Sequence, residues 1–263
     1  MTSMRMKPLD AVWLMMESDD TPMHVGVLAI FQKPRKAPAD FVTRLAEDMR
    51  TTREIVSPWD LHLARPWAPG ISQRLVEDQD FDLDYHFRHT ALPEPGGERE
   101  LGVLVSRLHS NALDRSRPLW EIHLIEGLQR DRFAFYIKVH HALVDNVNGV
   151  PMVIAALSDS VRDRHMPPLW ARPLRAREHQ SDVDSSARDL GDLLTDSAEN
   201  LLSMGRATAG FLRSVLRRRD VGSFITPLGT PRSTLNRSIG SQRRFATQQF
   251  EQSRIQDLAD ATG

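Results

Sequence analysis

The 263-residue sequence contains no cysteine. That excludes a disulfide framework and thiolate metal sites, and it fits a reducing compartment. It also lacks an excess of charge of either sign. With 34 Lys and Arg against 35 Asp and Glu, the formal net charge is -1, so the basic footprint of a nucleic-acid partner is missing. No apolar run approaches the roughly 18 residues that a membrane-spanning helix needs. The opening "MTSMRMKPLDAVWLMMESDD" has one short apolar patch followed at once by acids, which is not the pattern of a secretory signal. The expected setting is the cytoplasm, either free or peripheral to a membrane.

The composition is that of an ordinary soluble chain, long enough for one large core or two smaller ones, and the strand and helix patterns along it predict an α/β fold. "PMHVGVLAIFQ" (22–32) is β-branched and bounded by prolines, a buried strand. "ADFVTRLAEDMR" places Phe41, Leu45 and Met49 at helical spacing after Pro38 and Asp40. "FDLDYHFRHTAL" alternates Phe81, Leu83, Tyr85 and Phe87 with polar residues, a period of two that predicts a half-buried strand. After "PEPGGERE" a helix is expected with Leu101, Leu104, Val105, Leu108 and Leu113 on one face. "LWEIHLIEGL" and "RFAFYIKVHHALV" predict a hairpin around "QRD". Pro151 must fall in the first turn of the next helix.

Residues 159–187 read as a linker or surface loop, and 187–219 as an amphipathic helix ending in "RRR". A strand "RRFATQQF" and a helix "SRIQDLADATG" close the sequence. The expected division is therefore 1–158, 159–240 (linker and amphipathic helix) and 241–263 (the opening of a second unit).

Chemistry concentrates in "YIKVHHALVDN" (136–146). Adjacent strand residues face opposite ways, so His141 is expected with Phe133, Phe135, Ile137 and Val139, and His140 with Tyr136 and Lys138. Two such histidines cannot reach one metal ion, and no third ligand is spaced for zinc, so no metal is expected. Two readings stay open. In one, His141 closes a buried strand face and Asp145 caps the next helix. In the other, desolvation keeps His141 neutral and able to accept a proton from a bound hydroxyl. No nucleophilic side chain lies nearby for a covalent intermediate.

Among the remaining features, Pro118-Leu119-Trp120-Glu121 is explained by strand packing or by lining a site. His24 is a strand residue or a channel residue. The 187–219 helix either packs on the domain, its basic end complementing the helix dipole, or touches a membrane or lipid-droplet surface.

"HHALVDN" resembles the HHxxxDG signature of CoA-dependent acyltransferases. "LDAVWLMMESDDTPMHVGVLAIF", the long stretch from "DYHFRHTALPEPGGERE" to "SRPLWEIHLIEGL", and "RRFATQQF" are similar to the bacterial wax ester synthase/diacylglycerol acyltransferase family from about Leu9 onward. The resemblance implies a mixed sheet flanked by helices, as in the N-terminal half of the chloramphenicol-acetyltransferase-like fold. It implies transfer of a long acyl chain from acyl-CoA, a co-substrate rather than a cofactor, to a fatty alcohol or diacylglycerol. His141 would be the base, His140 would support it from the opposite face, and Asp145 would orient the loop. Asn146 stands where the motif has glycine; like His24 and Trp120 it is a candidate for substrate contact. The family's site lies between two similar halves, so the expectation is that this chain carries mainly the first of them. A catalytically silent lipid- or CoA-binding chain, or one completed by a partner chain, is the alternative.

Overall fold

The computed structural model describes residues 3–6, 8–68, 73–144, 149–160, 162–163, 166–173, 239–247 and 251–262. In chain order, β1 (Ser3–Arg5) and α1 (Pro8–Met16) precede β2 (His24–Gln32) and α2 (Phe41–Thr51). Two short strands follow, β3 (Leu61–Leu63) and β4 (Arg74–Glu77). One turn of helix, α3 (Leu83–His86), then runs into β5 (Phe87–Ala91). Next come α4 (Glu98–Ser110), β6 (Trp120–Leu128), β7 (Arg132–His140), α5 (Gly149–Ala155) and α6 (Gln252–Thr262).

The main sheet has the order β2-β7-β6-β5. β7 pairs antiparallel with β2 and β6, whereas β5 pairs parallel with β6. The parallel pair requires a crossover, and α4 supplies it. The β6–β7 turn is tight because Arg130 and Asp131 both adopt positive φ, 62° and 52°, matching the right-handed twist of the flanking strands.

β7 is buried on both faces, so its core residues separate by parity. Phe133, Ile137 and Val139 join Trp120, Ile122 and Leu124 of β6 against Val42 and Ala46 of α2. Ala134 and Tyr136 meet Leu101, Leu104 and Val105 of α4 on the other side. Each fully buried large side chain contributes about 1.5–3 kcal/mol relative to exposure. The second sheet, β1-β4-β3, packs Leu61, Leu63 and Leu75 against Ala11 and Leu14 of α1. It brings α1 alongside the exit of β7, where Ala142 joins the same cluster.

Several expectations are corrected. The alternating 81–92 stretch is not one strand. Asp82 accepts the backbone N–H groups of Asp84 and Tyr85 and caps α3, so a local cap outcompetes the period of two. Leu113 lies beyond α4, which ends at Ser110, and packs with the α1 cluster. The expected loop at 159–187 contains Leu169 and Trp170, both buried in the main core. Residues 243–247 form no ladder. Instead Arg243 and Phe245 give their N–H groups to the hydroxyls of Ser110 and Ser106 on α4, at 2.8 and 2.7 Å. The 187–219 helix lies outside the described residues. No helix among those described is long and apolar enough to cross a membrane.

Candidate active site

The β2–β7 ladder ends on the rung His24↔His140. There the chain is held from both sides: His140 N–H donates to Leu119 O at 3.0 Å, and His141 N–H to Met23 O at 2.9 Å. β7 then turns, with the amides of Leu143 and Val144 both donating to His140 O. His141 is therefore the first residue of a turn, not the last of the strand, and the strand-parity expectation holds only up to His140. The imidazole of His141 leaves the apolar strand face and stacks on Trp13 of α1, with ring centroids 4.5 Å apart and planes 21° from parallel.

His140 is fully buried. Its Nδ1 accepts the Ala142 N–H at 3.0 Å, and a ring nitrogen that accepts is unprotonated. The ring proton is thus on Nε2, which lies 3.5 Å from Glu17 Oε1. At that distance the contact is electrostatic rather than a formed hydrogen bond. Glu17 also receives the Met23 N–H at 3.1 Å and Arg115 at 2.9 Å. Arg115 in turn donates to Leu14 O at the end of α1. Burial alone would raise the Glu17 pKa, but His140, the Met23 amide and Arg115 outweigh it and hold the carboxyl at about 2.

His141 is half-buried. Desolvation, and then the neighbouring His140, depress its pKa below the ordinary histidine value. The neutral base therefore dominates at neutral pH. Its Nδ1 is buried without a hydrogen-bond partner among the described residues.

A second polar group lies behind the pair, on the α4 side of the sheet. Lys138, fully buried, meets Glu121 at 3.2 Å and donates to the carbonyls of Leu108 and Asn111. Glu121 also contacts His123 at 3.3 Å. His24 donates from Nε2 to His109 O at 2.9 Å, while His109 Nδ1 and the Tyr136 hydroxyl are 2.8 Å apart. These groups fasten the C-terminal end of α4 to the sheet.

The structure thus brings His24, His140 and His141 to one strand exit. His24 sits behind it, buried. Trp120 is enclosed by Trp59, Phe81, His86 and Trp170, and its indole N–H donates to Trp59 O, an arrangement of packing rather than of a channel wall. Asp145 and Asn146 lie outside the described residues. Glu17 and Trp13 were not legible as site residues, because an acid in "ESDD" looks like solvated surface. Among the described residues no three His, Asp or Glu side chains converge as metal ligands. An open cavity of about 630 Å³ lies elsewhere, between α4 and 242–247 and lined by Arg99, Gly102, Arg107 and Phe245 among others.

The mixed α/β fold is that of an acyltransferase catalytic domain. The wax ester synthase/diacylglycerol acyltransferase catalytic-domain model matches residues 6–263, and the chain belongs to that family. It is 35% identical to the O-acyltransferase WSD of Acinetobacter baylyi over 262 residues, covering 96% of this chain and 54% of that protein. A Mycobacterium tuberculosis protein named by inference as a diacylglycerol O-acyltransferase is 37% identical over 296 residues, covering 99% of this chain and 58% of its own length. The solved wax ester synthase/diacylglycerol acyltransferase of Marinobacter aquaeolei VT8 superposes with a TM-score of 0.73 at 35% identity, covering 98% of this chain and 55% of that one. The chain spans little more than half the length of these relatives.

Proposed function

We propose that this protein is an O-acyltransferase that moves a long acyl chain from acyl-CoA to a fatty alcohol or diacylglycerol, giving wax ester or triacylglycerol. His141 is the general base. It takes the hydroxyl proton while the alcohol oxygen attacks the thioester carbonyl. Collapse of the tetrahedral intermediate expels the CoA thiolate, which takes the proton from the imidazolium and leaves as the thiol. No covalent enzyme intermediate and no cofactor are required. The observation that carries this reading is the seat of His141, a desolvated imidazole of lowered pKa, stacked on Trp13 at the strand exit. General bases of this kind are worth about 10²–10⁴-fold. The name of the Marinobacter relative supports the substrate classes, and that of the Acinetobacter relative supports O-acyl transfer.

These 263 residues contain no cysteine to react with a thiol reagent, so released CoA is read against the signal of the protein without acyl-CoA. Full-length protein supplied with palmitoyl-CoA should release thiol in proportion to added hexadecanol or dioleoylglycerol. Thiol release indifferent to the acceptor would be hydrolysis and would contradict the proposal. EDTA should leave the rate unchanged, and loss of activity on chelation would restore a metal reading.

A further inference from the structure

We infer that Glu17 is a positioning residue for the histidine turn, acting through His140; the consequence for turnover rests on His141 being the base. The carboxylate accepts from the Met23 N–H at 3.1 Å and from Arg115 at 2.9 Å, and its Oε1 faces His140 Nε2 across a 3.5 Å electrostatic contact. Its first effect is on the His140 tautomer. A buried N–H at Nε2 needs an acceptor, and among the described residues Glu17 Oε1 is the one facing it. With the proton held there, Nδ1 is free to accept the Ala142 amide, which fixes the turn that presents His141. If Nδ1 were protonated instead, two donors would face each other across 3.0 Å and the turn would open.

The second effect is on α1. Glu17 follows directly after that helix, and its partner Arg115 also holds Leu14 O at 2.6 Å. The same carboxylate therefore fixes both surfaces of the His141 seat, the turn that carries the imidazole and the helix whose Trp13 covers it. The charge is present across the working range, since the carboxyl ionises at about 2. A group that shapes a base through a neighbour, without touching the reacting atoms, leaves its mark on tautomer and orientation.

Histidine ring ¹⁵N spectra and amide exchange on the full-length protein test this without any turnover. Wild type should show His140 protonated at Nε2 alone at pH 7.5, and His141 ring protons shifted by the Trp13 ring current. Glu17→Ala should mix the His140 tautomers, speed exchange of the Ala142 amide about tenfold or more, and collapse the His141 ring-current shift. Glu17→Gln keeps one acceptor oxygen for His140 and Met23, so it should restore the tautomer, while its amide nitrogen faces the donor-only Arg115 and loses that contact. Unchanged tautomer and Ala142 protection in Glu17→Ala would overturn the inference. If Glu17→Ala does not fold, a wild-type His140 protonated at Nδ1 would overturn it equally. Failure of the His141 base assignment leaves a different trace, normal rates in His141→Ala with these spectra unaltered.

Discussion

His24 is one place where acid should weaken the molecule. Desolvation, and then the charge of Lys138, push its pKa from 6.5 down to about 4. The unfolded chain therefore takes up a proton that the folded chain refuses. Stability is at its plateau above about pH 6.5 and falls as pH drops toward 4, by about 3 kcal/mol in all from this group. Glu17 and Glu121, both held at about 2, extend the loss below pH 4.5, where their unfolded forms protonate. Urea unfolding between pH 7.5 and 4.5 should show this slope, and His24→Gln should flatten it by about one proton; an identical slope in the variant contradicts the assignment. Glu121 gives a sharper residue-scale prediction. Glu121→Ala leaves the Lys138 ammonium buried without its counter-charge, which costs about 3–5 kcal/mol. Equilibrium denaturation would expose a smaller loss, below 1 kcal/mol, as a contradiction. At this scale the histidine pair was legible because two adjacent histidines after an apolar run are conspicuous. Glu17 was not, since its partners Met23, Arg115 and His140 come from three separate segments.

Elements were legible where pattern and tertiary demand agree. β2, β6, β7 and α2 form where branched residues and helical spacing place them. The failures share a cause, local side-chain chemistry or a helix surface replacing the expected ladder. Asp82 bends the start of the 81–92 run into a helical turn. Residues 243–247 form no strand; α4 rather than a ladder satisfies the amides of Arg243 and Phe245. Ser106 and Ser110 each donate to the carbonyl four residues back and accept an amide from the crossing segment. Gly102 lets the backbone approach, because a Cβ there would sit 3.0 Å from Phe245 O. Ser106→Ala should leave α4 intact, cost about 1 kcal/mol and selectively speed amide exchange at Phe245. Uniform loss of protection along α4 would show that the serine serves the helix instead.

At the scale of the whole molecule, a mixed sheet carries helices on both faces, and β7 leads directly into the histidine turn. What composition could not show is how distant pieces build the seat of His141: α1, the Leu119 carbonyl before β6, and Met23 before β2. The lowered pKa of His141 predicts that the acid limb of kcat/KM falls below pH 6.5, the ordinary histidine value. A midpoint above it would contradict the desolvated seat. The most direct measurement is acceptor-dependent acyl transfer from palmitoyl-CoA by full-length protein carrying His141→Ala, beside wild type, with circular dichroism to verify folding. The account predicts a folded variant whose turnover is reduced about 10²–10⁴-fold. A folded His141→Ala protein that transfers acyl chains at the wild-type rate would contradict it.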